Sequence, residues 1–148
     1  MKKLLTILVF TITANLLAQE YNIQNGYMAQ GFDVVSYFSN TAVEGKKQYT
    51  TTYNGVKFKF VSQKNLNAFK SNPTKYMPQC GGYCAYAVAT RTERKEIDPE
   101  YFEIRDGKLY LFYNAWFFNK KESWLEENPE KLKVEAAKNW EVLKNKKD

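Results

Sequence analysis

The segment "PQCGGYCAYAVA", residues 78–89, holds Cys80 and Cys84, the only two cysteines of a chain that contains no histidine. Their types and spacing admit four chemistries. A disulfide between them would close so short a loop that it stabilises a fold by only about 2 kcal/mol, which suits a switchable bridge better than a structural one. If "CAYAVA" opens a helix, Cys84 lies near its N-terminus, where unpaired amides favour a thiolate that can act as nucleophile or as soft ligand. Met77 adds a thioether, and the trio Met77, Cys80 and Cys84 has the softness that selects Cu(I) over hard ions. Two cysteines fall short of the four N/S ligands of structural zinc. The fourth possibility is two packed side chains. Gly81 and Gly82 permit backbone conformations closed to other residues. They fit either a close approach of backbone to something or a tight turn that lets Tyr83 and Tyr86 reach the core.

The absence of histidine removes whole classes of function. Ser-His-Asp and Cys-His catalysis, histidine-ligated zinc and histidine-held haem all need an imidazole. Carboxylates offer less. Asp33, in "GFDVVSYF", caps a helix or turn or faces a site as acceptor, and Asp98 before Pro99 reads as turn chemistry. No acid and base pair follows from spacing.

These residues must be positioned by a chain of 148 residues whose start reads as a secretory signal. Lys2 and Lys3 precede the apolar run "LLTILVF", and the following "TITANLLAQ" offers a cleavage point after Ala18. The apolar run is shorter than the roughly 20 residues a membrane span needs. The expectation is therefore an exported protein, periplasmic or secreted, with residues 1–18 as signal peptide and no span after cleavage. Removing them from the 148 leaves 130 residues, enough for one domain with its own core. Lys2 and Lys3 leave too, so the charge falls from +6 to +4. Without a basic stripe or a reader motif this charge does not point to nucleic acid. The basic tail reads as the solvated face of a helix.

The stretch "YTTTYNGVKFKF" alternates across Asn54-Gly55, a dipeptide suited to a tight hairpin, and pairing Tyr53 with Val56 puts Tyr49, Thr51, Tyr53, Val56, Phe58 and Phe60 on one face. Thr50, Thr52, Lys57 and Lys59 fall on the other, wet face. A second hairpin turns at Asp106-Gly107 and groups Phe102, Ile104, Leu109 and Leu111. Ser62 is placed to cap "QKNLNAFK", and Asn114 to cap "AWFFNKKESWLEE", with Phe117, Trp124 and Leu125 close to one face. Each helix meets an Asn-Pro step, Asn72-Pro73 and Asn128-Pro129, that suits a new helix start. The order hairpin, capped helix, Asn-Pro, helix thus occurs twice, a weak internal duplication, with four more residues in the second copy that amount to about one helical turn. A last helix over about 129–143 lines up Leu132, Ala136, Trp140 and Leu143. The fold expected is α+β, a single compact domain over 19–148 with two β-hairpins and packed helices.

"GFDVVSYF", "YNGVKFKF", "NLNAFKSNPTKYMPQCGGYCAYAVA" and "DGKLYLFYN", in that order from about Gly31 to Asn114, resemble exported YHS domain-containing (seleno)proteins. The resemblance implies an α+β domain with metal or thiol function, since YHS modules occur beside copper-handling proteins. Cys84 carries over as the recurrent cysteine, and the selenoprotein label implies that selenium can stand there. Asp33, Tyr37, Gly81, Gly82, Tyr83 and Asn114 also fall on motif positions. Two departures stand out. Cys80 occupies a position that is often aromatic, and the name-giving Tyr-His-Ser signature is missing, with "SYFS" at residues 36–39.

The leading expectation is a non-enzymatic exported module that binds a soft metal such as copper through Cys84, Cys80 and Met77, with Gly81, Gly82, Tyr83 and Asp33 shaping the site. One rival is a thiol oxidoreductase or peroxide-reducing protein, with Cys84 attacking, Cys80 resolving and a redox partner protein. The other is an interaction domain whose cysteines are merely packed.

Overall fold

In the computed structural model, residues 20–146 are described; the expected signal peptide and its cleavage point lie outside them. The chain is built from antiparallel hairpins, each a two-stranded sheet, with helices packed against them. This is the α+β architecture expected from the alternation and capping signals.

A short hairpin, β1 (Ile23–Gln24) with β2 (Tyr27–Met28), is followed by two 3₁₀ turns, Ala29–Gly31 and Ser36–Ser39. Then come β3 (Lys46–Tyr53) and β4 (Val56–Phe60), paired so that Tyr53 faces Val56 and Thr51 faces Phe58, the register set by Asn54-Gly55. Val56, Phe58 and Phe60 are buried, with Phe58 and Phe60 packed on Phe69 of α1 (Gln63–Ser71). Ser62 caps that helix by accepting from the Asn65 amide. Lys59 departs from the expected wet face. It is buried, its Nζ 3.2 Å from Glu44 and 4.7 Å from the centre of the Tyr27 ring, because the segment around Gly31 and Gly45 closes over its stem.

After Asn72-Pro73, α2 (Pro73–Tyr76) leads into the cysteine loop and then α3 (Ala85–Arg91). The second main hairpin, β5 (Asp98–Arg105) with β6 (Lys108–Phe112), has the expected register, Phe102 opposite Leu111 and Ile104 opposite Leu109. β6 is buried on both faces. Leu109 and Leu111 point to one side, while Tyr110 and Phe112 stack on Trp124 at centroid distances of 5.2 and 5.3 Å.

The second copy of the hairpin-helix pattern differs from expectation. Asn114 does not cap a helix; it opens β7 (Asn114–Ala115), which pairs with β8 (Phe118–Asn119) around a Trp116-Phe117 turn. The helix α4 (Lys120–Glu127) starts later, capped by Asn119 accepting from the Glu122 amide. Ser62 follows Gly55 by seven residues, whereas Asn119 follows Gly107 by twelve, so the extra residues form a hairpin and not a helical turn. Of the apolar face expected there, Trp124 is buried, but Phe117 and Leu125 are exposed. Asn128 caps the last helix, α5 (Pro129–Asn145), whose stripe of Leu132, Ala136 and Leu143 is buried, with Trp140 packed beside it. No helix among the described residues is long and apolar enough to cross a membrane.

Candidate functional site: two cysteines beside β6, each at its own cavity

The loop from Pro78 to Cys84 runs parallel to β6 as a partial third strand, with bridges from Pro78 to Leu109 and from Cys84 to Leu111. At its centre Cys80 and Gly81 take left-handed backbone angles, φ +55° and +60°, and Gly82 follows at +83°. The double glycine is required by close approach. A Cβ on Gly81 would lie 2.2 Å from the Glu20 carbonyl oxygen and 2.6 Å from the Trp140 ring, and one on Gly82 would lie 2.6 Å from the Met28 sulfur. The backbone amide of Asn22 donates to the Gly81 carbonyl at 2.8 Å, and its side-chain amide donates to Gly82. What the glycines admit is therefore the protein's own N-terminal segment and last helix. Tyr83 faces the same way, its hydroxyl 3.5 Å from the Tyr21 carbonyl and its ring 5.9 Å from Trp140.

Cys84 is the N-cap residue of α3, tied by its own amide to the Lys95 carbonyl at 2.9 Å. It is fully buried, yet it lines the floor of a cavity of about 250 Å³ whose walls include Tyr86, Arg91, Lys95, Tyr113, Phe118 and Lys120. Three cations and one carboxylate, Glu93, border that cavity. Burial pushes the Cys84 thiol up, while backbone N–H groups of Tyr113, Ala87 and Tyr86 directed at the sulfur, and the Lys120 ammonium, pull it back down. The cations are held in place by aromatic faces. Lys95 Nζ sits 4.5 Å from the Tyr113 ring centre, and Lys120 Nζ sits 5.0 Å from that of Tyr86. Tyr86 in turn donates its hydroxyl to Glu127 at 2.6 Å.

Cys80 is also buried, at 5% exposure, but it lines a different cavity of about 350 Å³, walled by Tyr110, Lys133, Ala136 and Trp140. Burial pushes its thiol up to about 12, with the neighbouring Cys84 adding to the rise and no amide opposing it. The two cysteines are not bonded to each other. Met77 is half-buried at the end of α2 and lines neither cavity.

Asp33 is buried and lines neither cavity. Its carboxylate accepts from the amides of Val35, Ser36 and Val61 and from the Asn65 side chain, which locks the turn before β3 to the start of α1. Tyr37 donates to the Pro99 carbonyl at 2.6 Å, and Asn114 donates to Asp98 at 3.4 Å. These motif positions hold segments together and line neither sulfur cavity. The residues that sequence reasoning missed are Arg91, Lys95, Tyr113, Phe118 and Lys120. Only Arg91 and Lys95 had a signal in the sequence, the charged run "RTERK" that begins on the last residue of α3.

Residues 34–80 match the family model of the YHS domain. Over that stretch the chain is similar to YHS domains. No curated protein and no solved structure matches the chain. The YHS match contains Met77 and ends on Cys80; Cys84 and every other wall residue of its cavity lie beyond it. YHS domains are associated with metal handling, copper in particular. Against that association, the three sulfurs do not face one space. Among the described residues no group of three or more His, Cys, Asp or Glu is placed to hold a metal ion. A cation at the Cys84 sulfur would also meet three positive side chains. The donors present do not fit a resident soft metal at the Cys84 cavity.

Proposed function

We propose that the protein is a hydroperoxide-reducing thiol oxidoreductase in which Cys84 acts alone. The observation that carries this reading is the 250 Å³ cavity in which Cys84 shares one lining with Lys120, Lys95 and Arg91, while the backbone amides of Tyr113, Ala87 and Tyr86 offset part of the rise that burial imposes on its thiol. That is an arrangement for negative charge, on the sulfur itself and on an oxygen next to it. Burial keeps the resting group a thiol, so reaction draws on its ionised fraction and accelerates as pH rises.

The ionised sulfur attacks one peroxide oxygen; an S–O bond forms as the O–O bond breaks. The departing alkoxide takes up the proton the thiol gave up and leaves as alcohol, and Cys84 becomes a sulfenic acid. Since Cys80 opens to another cavity, the resolving group is an external thiol. It displaces water from the sulfenic acid to give a mixed disulfide, and a second thiol releases Cys84 and carries away the disulfide.

The test is consumption of an organic hydroperoxide in the presence of a small thiol. Turnover is expected in the wild type and in Cys80→Ser, and none above background in Cys84→Ser. Equal turnover in all three would end the proposal. The YHS match supports a second reading, soft-metal handling. A Cu(I) titration of the reduced protein against a competing chelator decides it: tight binding lost in both Cys84→Ser and Cys80→Ser would replace the thiol reading.

A further inference from the structure

The described residues contain four tight hairpins, and in each the first turn residue takes a positive φ: Asn25 at +56°, Asn54 at +50°, Asp106 at +51° and Trp116 at +56°. Three of the turns are Asn-Gly or Asp-Gly, the residues that adopt this geometry with least strain. The fourth places Trp116-Phe117 at the same two positions. A bulky aromatic in left-handed backbone is strained. Packing does not compensate, because Trp116 and Phe117 are 94% and 96% exposed and the adjoining Phe118 is 56% exposed. Folding alone would favour the dipeptide used at the other three turns. The aromatic tip therefore serves something outside the fold.

We infer that the Trp116-Phe117-Phe118 tip is a membrane-surface anchor that inserts into the headgroup region of an anionic lipid bilayer. The tip is convex, a two-residue turn on a two-stranded ribbon, and a bilayer accepts such a shape without a complementary pocket. A rigid protein partner, or a second copy of this chain, would have to supply one. Trp and Phe are residues that favour the boundary between headgroups and acyl chains. The neighbouring charge is of the matching sign. Lys120 Nζ lies 5.6 Å from the Phe118 ring centre, and Arg91 and Lys95 share a cavity wall with both. Glu93 on that wall, Glu127 held by the wall residue Tyr86 and Glu122 one turn into α4 offset most of this charge, and Lys121 next to Lys120 leaves the cations one ahead of these three carboxylates. Contact is peripheral. Because Phe118 and Lys120 also border the Cys84 cavity, docking would set that cavity beside the lipid surface; the anchor itself does not depend on any chemistry at Cys84.

The experiment compares the full chain with Trp116→Asn/Phe117→Gly, which restores the turn dipeptide of the other hairpins and is expected to melt at the same temperature or higher. Both proteins carry the same residues 1–18, so any lipid affinity of that segment cancels. Co-sedimentation is measured with vesicles of phosphatidylcholine alone and with about one third phosphatidylglycerol, alongside tryptophan emission. The expected result is binding to the anionic vesicles weakened about tenfold or more in the variant. A blue shift of the wild-type emission is also expected, since Trp124 is already buried and Trp140 half-buried. Identical binding by the two proteins, or indifference to phosphatidylglycerol, would overturn the inference. So would a wild-type dimer in velocity sedimentation that the variant abolishes, which would make a second copy the occupant. Should the double variant fail to fold by circular dichroism, Phe117→Ser supplies the same comparison.

Discussion

Cys80 and Cys84 sit four positions apart on one loop beside one strand, yet they occupy opposite chemical settings. Around Cys84, burial is opposed by three backbone amides and an ammonium, and the cavity beside it is bordered by cations. Around Cys80, burial is unopposed and Trp140 and Ala136 close in from the last helix. The difference arises from backbone direction, not from residue type. The left-handed turn through Cys80, Gly81 and Gly82 sends one thiol toward α5, while Cys84 bridges to Leu111 and begins α3. Spacing in sequence suggested a pair; geometry separates a supported thiol from a packed one.

The largest break in that comparison is expected from exchanging each sulfur. Cys84→Ser should slow hydroperoxide consumption by about 100-fold or more, while Cys80→Ser stays within about threefold of wild type. Steady-state rates with a small external thiol measure both.

Next in size is an effect confined to the Cys80 side. Gly81→Ala forces a Cβ against the Glu20 carbonyl and the Trp140 ring at φ +60°. It should cost about 2 kcal/mol of unfolding free energy in urea. The rate at Cys84 in the folded protein should hardly change, because its wall residues come from α3, the segment after it and the β7–α4 region. A loss of rate without a loss of stability would mean that the two thiols share one site after all.

The hairpin registers, the caps at Ser62 and Asn128 and the stripe of α5 were all readable, because each is set by neighbours within a few positions. The Cys84 cavity was not. Its walls come from three separated stretches that meet only when α3 packs beside β6 and α4, and no local period encodes that meeting. The β7–β8 hairpin replaces the start of an expected helix because Asn114 is a suitable cap and Phe117, Trp124 and Leu125 fall close to one helical face, whereas pairing of Ala115 with Phe118 and the cap at Asn119 decide the structure. Lys59 shows the converse. Alternation placed it outside, but a carboxylate from the loop before β3 and an aromatic ring from β2 let it be covered. Asp33 was legible in part: it caps its own turn through the Val35 and Ser36 amides, as its setting suggests, whereas the Val61 amide and the Asn65 side chain reach it from beyond the first main hairpin.

A subtler contrast lies in pH. The Cys80 thiol, pushed up to about 12 in the folded protein from an ordinary 9.0, keeps its proton where the unfolded chain has lost it. Its contribution is present in full below pH 9 and is lost as pH rises toward 12. Cys80→Ala should therefore flatten the alkaline fall of urea stability relative to wild type. An unchanged slope would show that Cys80 does not titrate as its burial requires. The smallest effect belongs to Lys120→Ala, which removes one charge from the Cys84 setting and should slow alkylation of Cys84 at pH 8 by about two- to threefold, leaving Cys80 unaltered.

The most direct test of the separation of the two sulfurs is the product of oxidation. Reduced protein is treated with one equivalent of hydroperoxide, trapped with a sulfenic-acid reagent and mapped by peptide mass. The geometry predicts a trapped adduct on Cys84 with Cys80 still a free thiol. A quantitative Cys80–Cys84 disulfide with no adduct would contradict it.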